Sequence, residues 1–515
     1  MISFIKTKGG ILLMKFISYD LGTGGVKASL YDSQLHTIAR SFIEYQTFYP
    51  GKNRHEQRPG DWWNGIVQST RLLLKESSVS PDEITAAAVS GHSCVAVPVD
   101  HQKQLLTEYV PIWSDTRADS EAASFFQKVD NETWYLTTGC GFPAPCYSIF
   151  KLMWCRKNMP ETYSKICQVM GSKDFINLKL TGNIFTDFSY ASSTGAYNLH
   201  TRRMEASYLE AADIEPSFFP EIIPSHDIVG TVTAEAAEET GLSRNTLVVC
   251  GGVDNACMAL GAVGTENGRI YTSLGSSSWV PVNSEKPILD PVKRPYVFAH
   301  IDENKYTSAF SIFAGGSSFR WTRDALCPDF DSRYAYGEMS ACAARSPVGS
   351  NGIFFNPSLA GGTSQDKSVH IRGAYIGLHL GISRNDMIRA AMEGIALNLR
   401  MSVDSLSAQT KIGNEILFCG GGSKSPVWMQ IFADVFDKKI IKTSIDQDAA
   451  ALGAAAICAK AVGLWQDYTP VRTLHQIEKT YMPNPENVPV YSEMLKKFRH
   501  ICTVLADLGD YLSHS

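Results

Sequence analysis

One pattern, a strand followed by a glycine-containing loop and a second strand, occurs once in each half of the chain. It reads KFISYDLGTGGVKASLYD over residues 15–32 and RIYTSLGSSSWVPVN over residues 269–283. Glycines between two strands let backbone N–H groups converge on an anion. The repeat therefore predicts a duplicated domain that holds phosphate groups between its two copies. For either loop alone, a structural hairpin turn is the alternative.

Residues 250–255, CGGVDN, lie between the two repeats. They follow the apolar residues 247–249 and precede the apolar residues 256–262, which predicts a strand that ends at two glycines, with Asp254 emerging at a turn. Asp-Asn is also common in surface turns. A surface turn and a functional carboxylate are therefore both open at this point.

A third loop, Gly420-Gly421-Gly422, separates a predicted strand over residues 415–419 from a predicted helix. Ser425 is placed as the N-cap of that helix and Pro426 as its first residue. Backbone bared by three glycines lies against a flat nucleoside without side-chain collisions. Glycines that only permit tight packing are the alternative.

Two polar stretches interrupt apolar sequence and predict contacts to a small polar ligand. His92, Ser93 and Cys94 stand between two apolar runs, and Trp113 stands close to Asp115. An aromatic ring beside charged groups suits a sugar, because the apolar face of the sugar stacks while its hydroxyls are hydrogen-bonded. An Asp115 helix cap beside a buried Trp113 is the alternative.

Helical periodicity predicts three further features. Asp61 is expected to cap an amphipathic helix within residues 58–76, and Ser383 with Asp386 gives an N-terminal capping signal. The small residues at 446–460 predict a helix that packs closely behind the triple-glycine loop.

Composition narrows the class of protein. The 515 residues are 44% hydrophobic and 19% charged, which predicts two large globular domains in solution. The net charge of -5 argues against a nucleic-acid binder and a polybasic membrane anchor. The 12 cysteines form no CxxC pair, which argues against a zinc finger and predicts reduced thiols in the cytosol. No apolar run reaches transmembrane length, and residues 1–13 are expected to be an extension before a natural start at Met14.

Together these motifs resemble the FGGY family of carbohydrate kinases, most of all its xylulokinase branch. The resemblance runs in the family's order from Lys15 to about residue 463 and rests on DLGTGGVK, IWSDTRA, GGVDNA, SLGSSSW, residues 373–393, FCGGGSKSPVWMQIFADVF and AAALGAA.

The resemblance implies an α/β fold of two ribonuclease H-like domains, of the actin, Hsp70 and sugar kinase superfamily, with a cleft between them. The implied boundaries are residues 15–262 for the N-terminal domain and 263–485 for the C-terminal domain, with a C-terminal helix at 486–515. The implied activity is ATP- and Mg²⁺-dependent phosphorylation of a hydroxyl of a small sugar, such as the ketose xylulose or a related pentulose. A polyol, a tetrulose or an autoinducer-like compound is an alternative substrate, and an actin- or Hsp70-like ATP-driven module is an alternative of another class. A homodimer is a further expectation.

The resemblance also assigns roles to individual residues. Asp254 is implied to be the general base on the sugar hydroxyl, and Asp20 to lie at the Mg-ATP. The implied nucleotide- and phosphate-binding residues are Gly22, Thr23, Lys27, Gly275, Ser276, Gly315, Gly421, Gly422 and Ser425. The implied sugar-binding residues are His92, Ser93, Cys94, Trp113, Asp115 and Asn255.

The sequence departs from the family pattern at one sugar-binding position. Xylulokinases carry Met-His-Gly where this chain has Ser93-Cys94-Val95. His92 would share a face with Cys94 if the chain were extended there, and would then partly replace the missing imidazole. A thiol does not reproduce the hydrogen bonding of an imidazole, so the sequence leaves the identity of the sugar open.

Overall fold

The computed structural model describes residues 14–445 and 448–513. The predicted extension at residues 1–13 lies outside the described residues, as do the first two residues of the helix predicted at 446–460 and the last two of that predicted at 486–515. The first sheet has six strands, in the order β5-β6-β4-β1-β2-β3. They are Lys15–Gly22 (β1), Gly25–Tyr31 (β2), Thr37–Glu44 (β3), Ile84–Gly91 (β4), Ile228–Thr231 (β5) and Leu247–Val253 (β6).

The second sheet has seven strands, in the order β9-β10-β8-β7-β11-β12-β13. They are Ile270–Leu274 (β7), Ser278–Ser284 (β8), Tyr296–Ala299 (β9), Tyr306–Ile312 (β10), Glu415–Cys419 (β11), Lys439–Thr443 (β12) and Ile477–Tyr481 (β13). Short pairs of strands outside the two sheets include Arg54–Gln57 with Val110–Pro111, and Val97–Val99 with Gln168–Met170.

The two sheets share one topology. In the first, β1, β2 and β3 form an antiparallel meander, β4 is parallel to β1, and β6 is parallel to β4. In the second, β7, β8 and β10 form the meander, β11 is parallel to β7, and β12 is parallel to β11. An antiparallel strand then flanks each sheet, β5 beside β6 and β13 beside β12. The predicted duplication and both predicted hairpin loops are therefore confirmed.

Helices cover both sheets and connect their strands. The longer ones are Pro59–Ser77 (α1), Asp119–Phe125 (α2), Asn131–Thr138 (α3), Ser148–Asn158 (α4), Ser172–Thr181 (α5), Ala206–Ala212 (α6), Ala234–Thr240 (α7), Asp254–Val263 (α8), Gly315–Leu326 (α9), Ala335–Arg345 (α10), Arg384–Ser407 (α11), Pro426–Phe436 (α12), Ala449–Ala461 (α13) and Asn487–Ser513 (α14).

The predicted helix starts are confirmed in two cases and wrong in one. The Asp386 carboxylate accepts the Ser383 N–H at 2.9 Å in a capping box that begins α11, and Ser425 Oγ accepts the Trp428 N–H at 3.2 Å to begin α12. Helix α1 instead begins at Pro59, so Asp61 lies in its first turn and is not its cap. Proline suits this position because its fixed φ is already helical and its missing N–H is not needed there.

Helices α8 and α13 pack against each other between the two sheets. A Cβ on Gly261 of α8 would lie 1.8 Å from the carbonyl oxygen of Ala449, and a Cβ on Gly453 of α13 would lie 2.0 Å from that of Cys257. The two backbones are in contact where they cross. The small-residue helix predicted at 446–460 therefore packs on α8 and on the first sheet, and its start at Ala449 clusters with Cys419, the residue before the triple-glycine loop. Alanine and glycine suit this position because larger side chains would separate the helices.

The described residues contain neither a disulfide nor a membrane-spanning helix. All twelve cysteines are free thiols, buried except for the half-buried Cys155 and Cys167. No helix among the described residues combines the length and the apolar character needed to span a bilayer.

Candidate active site

The parallel strands β1, β4 and β6 end at one edge of the first sheet, where the candidate residues are found. Asp20 lies near the end of β1, residues 92–94 follow β4, and Asp254 follows β6. Ligands of open α/β sheets bind outside the carboxyl ends of the strands. The topology therefore brings together the two candidate carboxylates and the polar loop.

Asp254 is the first residue of helix α8, so the predicted turn is wrong. Strand β6 continues to Val253 beyond a bulge at Gly251, which has a φ of +75°. A Cβ at Gly251 would lie 2.2 Å from the carbonyl oxygen of Val89, so glycine is required where the strand bends. The bend leaves the Asp254 carboxylate at the helix start, where its Oδ1 accepts the Asn255 N–H at 2.7 Å.

The environment of Asp254 raises the pKa of its carboxyl group toward neutral pH. Burial and the nearby Asp20 carboxylate raise the pKa of Asp254 to about 7, against a lowering by the Asn255 N–H. Burial also raises the pKa of Asp20, while Lys27 and a 3.1 Å hydrogen bond from Ser90 Oγ favour its charged form. A carboxylate with a pKa near the working pH suits a general base.

A small cavity lies beside Asp254, between segments of both halves of the chain. Three predicted sugar-binding residues, Ser93, Cys94 and Asn255, line it. The remaining lining residues are Cys140, Phe142, Tyr147, Ser192, Ser193, Val253, Tyr296, Val297 and Phe298. Hydroxyl groups and aromatic rings dominate this wall, and none of its side chains is an acid, a lysine, an arginine or a histidine.

The other predicted sugar-binding residues do not line this cavity. Asp115 is fully buried, and its carboxylate accepts hydrogen bonds from the His55 N–H at 2.7 Å and from Arg117, which engages both oxygens. Trp113 is half-buried and donates its Nε1–H to Thr23 Oγ1 at 3.2 Å. Trp113 therefore connects the predicted sugar side to the first glycine loop, while Asp115 has no exposed surface.

The chain is not extended between His92 and Cys94, so that sequence expectation is wrong. Strand β4 ends at Gly91, and Cys94 has a left-handed φ of +57°. The buried imidazole of His92 packs edge-on against Trp62, with ring centroids 5.9 Å apart, and it does not share the face of Cys94. Neither ring nitrogen has a hydrogen bond of good geometry among the described residues, but the backbone of Gly22 is close enough to favour the charged imidazole.

The loop between β7 and β8 lies against the start of helix α9. The Gly316 N–H donates to the Gly275 carbonyl at 2.8 Å, and Arg320 donates to Ser276 Oγ at 3.1 Å. A Cβ on Gly315 would lie 2.1 Å from Ser278 Oγ, so this helix start requires glycine. The predicted phosphate-side residues Gly275, Ser276 and Gly315 are therefore in one cluster.

The triple-glycine loop combines tight packing with open space. A Cβ on Gly420 would lie 2.8 Å from the Leu274 carbonyl, and one on Gly422 would lie 2.3 Å from Leu274 Cδ2. A Cβ on Gly421 would meet nothing within 4 Å. The packing alternative therefore holds for the outer glycines, and the middle one presents bare backbone to solvent. Ser425 also pairs with Ser340 at 2.8 Å between their hydroxyl oxygens.

Comparison with known proteins agrees with this geometry. Residues 15–261 match the model of the N-terminal domain, and residues 270–462 that of the C-terminal domain, of the FGGY family of carbohydrate kinases. The chain belongs to this family. The resemblance predicted from the motifs is confirmed, and so is the assignment of the chain as an ATP-dependent carbohydrate kinase.

Relatives of this FGGY kinase phosphorylate more than one sugar. A xylulose kinase of Bacillus subtilis is 27% identical over 504 residues, which cover 97% of this chain and 99% of the relative. A gluconokinase of the same species is 25% identical over 505 residues, which cover 97% and 96%. The two relatives therefore differ in substrate.

Solved structures confirm the predicted fold. A gluconate kinase and a ligand-bound xylulose kinase from Lactobacillus acidophilus each superpose on 96% of this chain with a TM-score of 0.89, at 25% sequence identity. The superposed regions cover 98% and 99% of those chains. The FGGY kinase therefore has the two-domain ribonuclease H-like α/β fold of the sugar kinases.

Sequence reasoning missed several residues of this FGGY kinase that lie at the cleft. Asp448 pairs with Arg40 at 2.8 Å and contributes to the raised pKa of Asp20. Phe142 stacks on Tyr296 with ring centroids 4.3 Å apart and an interplanar angle of 14°, and both rings line the cavity. Phe142 follows Gly139 and Gly141, and Asp448 precedes the small-residue helix, but neither segment showed which of its side chains reaches the cleft.

Proposed function

We propose that this FGGY kinase transfers the γ-phosphoryl group of ATP to a hydroxyl of a small neutral sugar, a ketose such as xylulose or a related pentulose. Asp254 acts as the general base on that hydroxyl. The observation that carries the proposal is the placement of this carboxylate, with its pKa raised to about 7, between the hydroxyl-lined cavity and Asp20. Transfer of this kind requires mainly alignment of the attacking hydroxyl and stabilisation of phosphate charge.

The cavity wall supports a neutral acceptor over an aldonate such as gluconate. A bound carboxylate is normally met by a cation or by several N–H donors. The cavity lining contains no cationic side chain, and Arg294 lines an adjoining cavity that shares Cys140, Phe142 and Tyr296. The hydroxyls of Ser93 and Ser193 and the amide of Asn255 suit the hydroxyls of a sugar, while Phe142 and Tyr296 suit its apolar face.

The nucleotide is proposed to lie on the second sheet, with its phosphates between the two hairpin loops. Gly22, Thr23, Gly275 and Ser276 face the phosphates, Lys27 adds positive charge, and Gly421, Gly422 and Ser425 line the adenosine site. Gly315 supports the second loop from the start of α9.

Asp20 is the residue proposed to hold Mg²⁺. No set of three or more acidic, histidine or cysteine side chains among the described residues is arranged to hold a metal ion. Mg²⁺ in phosphoryl-transfer sites takes one or two carboxylates, with waters and phosphates as its other ligands, so a half-buried carboxylate beside the phosphate loops fits. The ion would neutralise charge on the phosphates. A cytosolic location and a homodimer remain predictions.

The substrate proposal is tested by ADP release with a panel of acceptors. The panel contains D-xylulose, D-ribulose, L-xylulose, erythrulose, ribitol and gluconate, with a sample that lacks acceptor. We expect a pentulose to give the highest kcat/KM, because the cavity is uncharged and small. A higher kcat/KM for gluconate would refute the neutral acceptor, and equal ADP release without any acceptor would favour an ATP-driven conformational module.

The pH profile tests the general base. A base acts only when deprotonated, so kcat/KM for the sugar is expected to rise through about pH 7, falling about tenfold per unit below it. Burial lowers the pKa of His92 to about 4, so that imidazole stays neutral and does not produce this limb. Rates measured from about pH 5 to about pH 8 check the expectation. A flat profile over this range would contradict it, and Asp254→Asn should lack the limb.

Gly421→Ala tests the adenosine site. Because a Cβ there meets nothing within 4 Å, we expect the thermal unfolding midpoint of the free protein to stay unchanged. The methyl group would stand where the nucleoside lies, so KM for ATP should rise about tenfold while KM for the sugar stays constant. Gly337→Ala, at an exposed helical glycine that also has nothing within 4 Å, is the control. An unchanged KM for ATP would remove Gly421 from the site.

A further inference from the structure

Lys151 is a buried cation beside the candidate sugar cavity that the proposed reaction does not use. It lies on helix α4 and is 3% exposed. Its Nζ donates to the carbonyl oxygen of Cys94 at 2.8 Å and to that of Ile112 at 2.7 Å. Within residues 14–445 and 448–513, no carboxylate oxygen lies within 4.0 Å of this nitrogen.

The two carbonyl groups belong to the two segments that carry predicted sugar contacts. Cys94 and its neighbour Ser93 line the cavity. Ile112 directly precedes Trp113, which reaches Thr23 in the first glycine loop. One ammonium group thus joins, from a third segment, the Cys94 loop at the cavity and the segment whose Trp113 contacts the first glycine loop.

The conformation of Cys94 makes this support necessary. Its φ of +57° is unfavourable for a residue with a Cβ, and such a conformation persists only where the surrounding structure holds it. The Cys94 N–H donates to Ser193 Oγ at 3.2 Å and the Cys94 carbonyl accepts from Lys151, so both backbone polar groups are used.

Burial of a lysine side chain at this position is energetically unfavourable. Burial lowers the pKa of Lys151, while Cys94, Cys146 and Asp115 favour its charged form. A buried charge that lacks an ionic partner is unfavourable, and an apolar side chain of the same length would pack at lower cost. The position therefore uses a long side chain whose terminal nitrogen donates to two carbonyl groups at once.

We infer that Lys151 is a positioning residue for the sugar: it fixes the spacing between the Cys94 loop and Trp113 and thereby sets sugar affinity. It contacts neither the nucleotide loops nor the proposed base. The inference rests on the proposed function of the cavity, because it concerns the ligand assigned to that site.

Lys151→Met keeps the length of the side chain and removes the donors. With the best acceptor of the panel, KM for the sugar is expected to rise about tenfold or more, while KM for ATP stays within about twofold. Lys157→Met is the matched control, because Lys157 is on the same helix with a side chain 66% exposed and pairs with Glu121 at 3.3 Å. Both KM values should be unchanged in the control. Equal changes in the two KM values of Lys151→Met, or none, would overturn the inference.

Thiol alkylation followed by peptide mapping gives a second readout that a general loss of stability does not reproduce. Release of the Cys94 loop should make Cys94 react about tenfold faster in Lys151→Met, while the buried Cys257 and Cys458 stay at their original rates. Uniformly faster reaction of all three thiols, or no change at Cys94, would count against the inference. If the methionine variant does not fold, Lys151→Leu, which also lacks donors, takes its place with the same expected directions.

The two proposals fail in distinguishable ways. If the unsubstituted protein phosphorylates no acceptor of the panel, the proposed function fails, while the alkylation rates still report whether Lys151 holds the Cys94 loop. If a sugar is phosphorylated and its KM does not respond to Lys151→Met, only the positioning role fails.

Discussion

Asp254→Asn is expected to lower kcat by about two to four powers of ten and to leave the fold and the KM for ATP unchanged. General-base assistance is typically worth about this factor, and the amide of asparagine cannot accept the proton. The amide is nearly isosteric, and its oxygen keeps the hydrogen bond that Oδ1 accepts from the Asn255 N–H. Steady-state rates at saturating ATP and sugar, with thermal unfolding as the check on structure, measure the effect.

Glu235→Gln is the matched control for Asp254→Asn. Glu235 is also an acid in the first turn of a helix, but its side chain is exposed. Any loss that arises only from removing a charge at a helix start would appear in both variants. A kcat of Asp254→Asn within tenfold of that of the unsubstituted protein would exclude the general-base role.

The repeated topology was predictable because it depends on local patterns that occur twice. Each hairpin combines two short strands with a loop of small residues, and the loops at Thr23 and Ser276 have the predicted connections. Ser425 and Pro426 likewise mark the start of α12 by capping chemistry alone. Local backbone preference and side-chain capping thus determine these features before tertiary packing contributes.

The geometry around Cys94 was not predictable, because tertiary contacts determine it. A Cβ at Gly91 would lie 2.7 Å from Ser172 Oγ, so a distant helix start packs where β4 ends. The left-handed turn at Cys94 then depends on donors and acceptors from Lys151 and Ser193. Sequence spacing cannot reveal partners that lie about fifty and a hundred residues away, and propensity alone disfavours that conformation.

The role of the Asp115 side chain was also not predictable from the sequence. Its neighbours Trp113 and Arg117 are typical of a sugar site, yet Arg117 engages the Asp115 carboxylate and also pairs with Glu56 at 2.6 Å. A charged group near an aromatic ring can thus either bind a ligand or pair internally with another charged side chain. Whether the group is exposed or buried decides between these roles, and Asp115 is fully buried. Burial at this position is set by the strand pair formed by Arg54–Gln57 and Val110–Pro111.

Gly453→Val is expected to lower both the thermal unfolding midpoint and kcat. A Cβ at this position would lie 2.0 Å from the carbonyl oxygen of Cys257, so a branched side chain must push helix α8 away from α13. Overpacking of this kind typically costs about 1–3 kcal/mol. The atom that the new side chain would meet is a backbone carbonyl oxygen, which cannot rotate away as a side chain could. The strain should be smaller for Gly453→Ala, which gives a graded series.

The loss of activity in Gly453→Val follows from the position of the contact on α8. Cys257 is three residues after Asp254, so displacement of its backbone moves the proposed base relative to the cavity. A misplacement of about 1 Å costs about a hundredfold in rate where alignment determines catalysis, so kcat should fall by at least about tenfold, even well below the unfolding temperature. Gly337→Val, at an exposed glycine of helix α10 with nothing within 4 Å, should leave kcat unchanged. Equal kcat values for Gly453→Val and Gly337→Val would show that Asp254 is held independently of the α8–α13 contact.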